Sequence, residues 1–157
     1  MNSDVRAPSS LAVVLTPATE QDLEALVALR MAAMRTSLER IGRFDPVPAR
    51  ERFAAGFAPQ HTRHVELDGE RVGFVVIKDC DDGLLLDHLY IHPNLQGRGL
   101  GAAVLHQVFA QADEVALPLR VGALRGSDSN RCYQRHGLRP AEETEWDLYY
   151  VRDARPC

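Results

Sequence analysis

The chain has 157 residues, 45% hydrophobic and 25% charged, which suits a soluble globular domain with a sizeable core. A formal net charge of −4 argues against bulk nucleic-acid binding, which shows as a basic excess. Arginine carries nearly all of the positive charge, Lys78 being the single lysine.

In chain order, residues 1–10 read as a polar, frayed N-terminus, 11–152 as a single domain and 153–157 as a C-terminal tail. "LAVVL" at 11–15 predicts a first strand. Thr19 with Asp22 three residues on gives a helix start, followed by Leu23, Leu26, Val27, Met31 and Met34 on one face. Asp45-Pro46 opens a second helix carrying Phe53, with Phe57 four residues on. "TRHVEL" and "RVGFVVIK" flank the hairpin signal Asp68-Gly69, and "LLLDHLYIHP" is a third extended run. After "QGRGLG" comes a helical stripe of Leu100, Val104, Val108 and Phe109, then the strand "LPLRVGAL". "SNRCYQRH" predicts a short helix closed by Gly137, and "WDLYYV" a last strand. The order β-α-α-β-β-β-α-β-α-β is that of a mixed α/β domain.

Cys80, Cys132 and Cys157 are odd in number and lack C-x-x-C pairing, so neither a disulfide framework nor a metal site is indicated. No run approaches a transmembrane span, and "LAVVL" is too short for a signal-peptide core, which makes the cytoplasm the default location.

The stretch "QGRGLG" at 96–101 places three glycines between a strand and a helix. Free N–H groups at a helix N-terminus, with the helix dipole, favour an anion and above all a phosphate. Gly97, Gly99 and Gly101 let such a group reach the amides, and Arg98 adds a charge. A tight turn without ligand is the alternative. A dinucleotide site is excluded by context: "HPNLQ" separates the strand from the glycines, and too little chain follows for a second set of strands.

The stretch resembles the acetyl-CoA loop of the GNAT superfamily of N-acetyltransferases, Q/R-x-x-G-x-G/A, which Gln96, Gly99 and Gly101 match position for position. "SNRCYQRHGL" is similar to that family's second cofactor segment, N-x-x-Y-x-x-x-G-F, through Asn130, Tyr133 and Gly137, with Leu138 in place of the usual Phe. The resemblance implies a mixed sheet in which the strand at 84–91 carries a bulge and splays from that at 119–124. Pantetheine is then expected along the backbone at Leu89, Tyr90 and Ile91, and its pyrophosphate at Gln96, Gly97, Arg98, Gly99, Leu100 and Gly101. The expected partners are acetyl-CoA and an amine-bearing acceptor, without metal, nucleic acid or membrane, and with a homodimer left open.

Acetyl transfer needs a base for the protonated amine and an acid for the departing thiolate. The resemblance carries the acid role onto Tyr133, which alone would read as a packed aromatic. On simple strand alternation Asp87 falls on one face with Leu85, Leu89 and Ile91, a carboxylate among apolar neighbours and a candidate base. The alternatives are an ion-paired Asp87 that only orders the strand, His88 brought inward by a bulge, or a water chain. For the acceptor, Glu39, Asp45 and Glu145 could attract an amine, and Arg43, Arg50 and Arg52 a carboxylate, with Trp146 and Tyr149 lining the pocket; solvated faces explain them equally. An acetyltransferase is favoured over a silent acyl-CoA-binding sensor by the presence of Tyr133 and a candidate base.

Overall fold

A computed structural model describes residues 12–40, 42 and 45–155. The expected frayed segment at 1–10 and the acceptor candidate Arg43 lie outside the described residues. The elements run β1 (Val13–Pro17), α1 (Leu23–Arg40), α2 (Pro46–Ala55), β2 (Thr62–Leu67), β3 (Glu70–Cys80), β4 (Gly83–Ile91), α3 (Leu100–Glu114), β5 (Leu119–Leu124), α4 (Ser129–Arg135), β6 (Arg139–Glu143) and β7 (Asp147–Arg152). This is the expected mixed α/β order with one strand added, β6. Its sequence, "RPAEE", is exposed at every position, so no buried face writes an alternating pattern into it. The seven strands hydrogen-bond in the order β1-β2-β3-β4-β5-β7-β6. No helix among the described residues is long and apolar enough to cross a membrane.

The chain divides into two compact units, one ending at Val75 and resuming for Leu89–Val104, the other formed by Val76–His88 and the chain from Leu105 onward. In the first, β1 and β2 pair antiparallel from Val13 opposite Leu67 to Pro17 opposite Arg63. Asp68 and Gly69, at φ 53° and 82°, make the left-handed turn between β2 and β3 that the sequence predicts. The approach to α1 is fixed by Asp22. Its Oδ2 accepts the Thr19 N–H at 2.9 Å and lies 2.9 Å from His64 Nε2, while Arg71 Nη1 donates to Oδ1 at 3.3 Å. The His64 hydrogen bond, reinforced by the Thr19 amide, draws the Asp22 carboxyl down to about 2. Phe53 meets Phe74 edge-on at 5.7 Å, and Phe74 meets Tyr90 at 5.4 Å. Between those rings β3 and β4 approach so closely that a Cβ at Gly73 would lie 2.2 Å from the Tyr90 carbonyl oxygen.

In the second unit, β5 pairs antiparallel with β7 from Leu119 opposite Arg152 to Leu124 opposite Asp147, and β6 pairs with β7 through a bulge at Pro140–Glu142. α3 buries Leu105, Val108 and Ala112, a helical spacing of three and four that presents one apolar stripe. The end of β7 is fastened to the end of α3: Arg152, buried, donates to both Asp113 oxygens at 2.8 and 3.0 Å and stacks 4.4 Å from the Phe109 ring centre. The Arg152 guanidinium, helped by the Arg155 N–H, draws the Asp113 carboxyl down to about 2.

Candidate functional site

The glycine loop begins where β4 stops. His92 N–H donates to the Val72 carbonyl at 2.8 Å, and the chain makes a single 3-10 turn, Pro93–Leu95. The Gln96 side chain then turns back, its Nε2 donating to the Ile91 carbonyl at 3.0 Å. This bond fastens the loop to the strand end, so the Gln96 amide works on the protein itself. Gly97 and Gly99 take φ of 79° and 83°, which glycine alone adopts without strain. Gly101 differs: it lies in the first turn of α3 without a left-handed φ, and a Cβ built on it meets nothing within 4 Å. A turn therefore accounts for Gly97 and Gly99 and leaves Gly101 unexplained.

The first intrahelical bond of α3 is donated by Ala103 N–H to the Gly99 carbonyl at 3.0 Å. The amides just before it have no acceptor within the helix and point out of its N-terminus. Arg98 is exposed beside them, whereas Leu100 is buried and offers a ligand only its backbone. A Cβ on Gly97 also meets open space, so the loop fits an anionic group lying directly on backbone. The Tyr90 side chain is engaged elsewhere, its hydroxyl accepting from Arg30 Nε at 3.2 Å. With Ile91 buried as well, Tyr90 and Ile91 can offer a ligand mainly backbone.

In the second unit, β4 and β5 pair in parallel only from Leu84 with Leu119 to Leu86 with Val121. Asp87 and Gly122 follow the last of these pairs. The buried side chains of this stretch are Leu84 and Leu86; Leu85 and Asp87 occupy the half-exposed face. Asp87 is accordingly less enclosed than alternation suggested, and it is paired. Lys78 Nζ lies 3.1 Å and His88 Nε2 3.7 Å from its Oδ2. The nearer partner is the single lysine. Close by, Arg120 bonds Glu142 and stacks 4.7 Å from the Tyr149 ring centre, and that ring covers Gly122. Burial pushes the Tyr149 phenol up, with Asp147 and, more weakly, Asp87 adding to the shift.

α4 carries the second family segment. Asn130 Nδ2 donates to the Leu124 and Ser127 carbonyls, both at 2.9 Å, and its Oδ1 accepts from the Tyr150 hydroxyl at 2.8 Å. Its side chain thus orders the connection from β5 to α4. Tyr133 is 5% exposed, its ring 5.9 Å from that of Tyr150. Gly137, at φ 88°, ends α4 as expected, and Leu138 N–H donates to the Tyr133 carbonyl at 3.1 Å. Burial pushes the neighbouring Cys132 thiol up, which disfavours the thiolate a nucleophile would need.

The charged acceptor candidates among the described residues are engaged or solvent-facing. Glu39 pairs with Arg35 one turn away at 3.0 Å, and Arg50 pairs with Glu24. Asp45, Arg52 and Glu145 are exposed, and Trp146 is 38% exposed.

A family model described as an acetyltransferase (GNAT) domain matches residues 59–140, a span that holds β4, the glycine loop and α4. No curated protein matches the chain in sequence. Solved structures do match. An acetyltransferase from Thermus thermophilus has 22% identity and a TM-score of 0.72 over 91% of this chain and 97% of that one. The PaiA N-acetyltransferase from Thermoplasma acidophilum, in complex with coenzyme A, has 13% identity and a TM-score of 0.73 over 90% and 99%. The ribosomal-protein-S18-alanine N-acetyltransferase from Escherichia coli has 14% identity and a TM-score of 0.69 over 93% and 96%. At these identities the structures speak to the fold, and the family model to the sequence. Together they place this chain in the GNAT acetyltransferase family.

Proposed function

We propose that the chain is an N-acetyltransferase that moves the acetyl group of acetyl-CoA to a primary amine by direct attack in a ternary complex. The observation that carries this reading is Gly101, a glycine that neither φ nor crowding requires, at the open N-terminus of α3. Glycine is a poorer helix former than alanine, so its use where a side chain would fit points to a reason outside the chain's own packing. Backbone free for a phosphate supplies that reason.

Acetyl-CoA contributes an activated thioester. The chain's own residues bind and move protons. The amides at the start of α3, with Arg98, hold the pyrophosphate; backbone at Leu89–Ile91 orients the pantetheine arm. Asp87, or His88 beside it, receives the proton of the acceptor ammonium, directly or through water, and the Tyr133 hydroxyl protonates the leaving thiolate.

The test is a melting curve with and without acetyl-CoA. A ligand bound only to the native state at about 100 times its Kd adds about 2.7 kcal/mol, or about 5–10 °C for a chain of this size. NAD at equal concentration should do much less, and a larger shift with NAD would overturn the reading. Thiol release across a panel of amines then separates turnover from binding alone, the second outcome being that of an acyl-CoA sensor.

A further inference from the structure

A cation interrupts the buried stripe of α1. Leu26, Val27 and Leu38 are buried, and the helical period sets Arg30 on the same face. The Arg30 side chain is half-buried there. Its Nε donates to the Tyr90 hydroxyl at 3.2 Å, and the guanidinium carbon stands 5.8 Å from the centre of that ring. Buried Arg152 is matched by both oxygens of Asp113. Arg30, by contrast, makes no ion pair among the described residues. A cation set among apolar side chains without a counter-ion is unfavourable, so its place on this stripe calls for an anion from outside the chain. Tyr90 occupies only the Nε side of the guanidinium. Neither Nη donates to any described residue, and neither is sealed from solvent. The edge left open carries two N–H groups in one plane, which match a carboxylate in geometry and charge. Arg30, Tyr90 and the glycine loop all belong to the first compact unit.

We propose that Arg30 binds the carboxylate of the acceptor, which makes the acceptor an amino acid; the inference rests on the acetyltransferase reading above and names its substrate class. Tyr90 lies within Leu89–Ile91, the stretch of β4 assigned to the pantetheine arm, and its hydroxyl fixes the plane of the guanidinium. A carboxylate gripped by Arg30 therefore sets the acceptor beside that arm and leaves its amine to reach the thioester. Transfer forms the bond from the amine nitrogen to the acetyl carbon and breaks the carbon–sulfur bond. Of the two protons that the ammonium loses, one ends on the coenzyme A sulfur and the other in solvent. An acceptor with a carboxamide in place of the carboxylate supplies no counter-charge and turns an NH2 group towards a donor, so the site rejects it.

The experiment measures thiol release from acetyl-CoA with each standard L-amino acid and with its carboxamide, for wild type, Arg30→Met and Arg30→Lys. For the best acceptor, kcat/KM for the acid should exceed that for the carboxamide by at least about tenfold. The preference should vanish in Arg30→Met, through KM, and survive in part in Arg30→Lys, which keeps the charge and loses the planar pair of donors. Arg30→Met also removes an unmatched cation from an apolar stripe, so Tm without acceptor should hold or rise. A lowered Tm with the acid preference intact would make Arg30 a structural residue and overturn the proposal. Carboxamides used as well as acids by a wild type that releases thiol would overturn it while leaving the acetyltransferase reading intact. A readout independent of turnover is phenylglyoxal modification of Arg30 in the presence of coenzyme A, followed by peptide mapping. Amino acids should slow it and their carboxamides should not. Protection without thiol release from any amine would uphold the carboxylate site and overturn the acetyltransferase reading. Absence of protection by every amino acid would overturn the carboxylate site, whatever thiol release shows.

Discussion

The Tyr150 hydroxyl donates to Asn130 Oδ1 at 2.8 Å, tying β7 to the first turn of α4. Asn130 spends its amide on the Leu124 and Ser127 carbonyls, so one side chain holds a strand end, a loop and a neighbouring strand together. Tyr150→Phe leaves the Asn130 oxygen without this donor and should cost about 1–2 kcal/mol, a fall in Tm of about 2–8 °C. Asn130→Ala loses the two carbonyl contacts as well and should cost more. Equal losses in the two variants would mean that the amide bonds to the loop contribute nothing.

Gly73→Ala tests the close approach of β3 and β4. The added methyl would stand 2.2 Å from the Tyr90 carbonyl oxygen, a backbone atom that cannot swing aside, and 2.9 Å from Ile91 Cδ1. Overpacking of this kind costs about 1–3 kcal/mol. Because the strain falls on the backbone at Tyr90 and Ile91, coenzyme A affinity measured by calorimetry should weaken together with Tm. A variant with unchanged Tm would show that the two strands can part at no cost.

Gly101→Leu separates the turn from the ligand. The residue has an ordinary helical backbone and open space before it, and leucine is the better helix former, so apo stability should hold or rise slightly. The stabilisation by acetyl-CoA should vanish. Gly99→Val is a poorer probe, since at φ 83° a β-branched residue strains the turn regardless of any ligand. A Gly101→Leu protein with a normal acetyl-CoA shift would place the phosphates elsewhere.

Much of this was legible in the residues. Asp68-Gly69 bounded the hairpin, the Leu100–Val104–Val108 stripe marked α3, and Gly137 closed α4, because each is a local rule that tertiary context here respects. β6 was not legible, since an edge strand exposed at all five positions carries no buried period. The Lys78–Asp87 pair was hidden for a different reason. Which residues of adjacent strands face each other depends on register, and register is not written in either strand alone. Asn130 matched the family's segment, yet the sequence could not say that its amide turns inward; the paired carbonyls and Tyr150 come from three places in the chain. The one signal left unused was composition: a lone lysine among arginines.

Stability should fall in acid for a stated reason. The folded pKa of Asp22 lies at about 2 against an ordinary value of 3.8, so the unfolded chain binds more protons in that interval and stability rises with pH across it. The contribution is complete above 3.8 and is lost as pH falls through about 2. Asp113, held by Arg152, acts in the same window and with the same sign. Asp22→Asn should lower Tm near neutral pH and flatten the dependence of Tm on pH between about 2 and 3.8, as read from a series of melting curves. A slope equal to that of wild type would show that the His64 and Thr19 bonds do not discriminate the ionised carboxyl.

Tyr133→Phe and Asp87→Asn divide the two proton transfers. Phenylalanine keeps the ring against Tyr150 and removes only the hydroxyl, so coenzyme A affinity should change little. If that hydroxyl protonates the thiolate, kcat should drop by about a hundredfold. Asp87→Asn acts on the other proton. Its loss should be greatest near neutral pH and shrink as pH rises, because a growing fraction of the acceptor amine is then already neutral. The variant also strips Lys78 of its partner, but an ion pair so exposed contributes less than about 1 kcal/mol, so Tm should barely move. An Asp87 that only orders the strand gives the reverse pattern, with lowered Tm and a pH–rate profile parallel to that of wild type. Near-normal kcat in Tyr133→Phe on a good acceptor would assign the leaving-group proton to water.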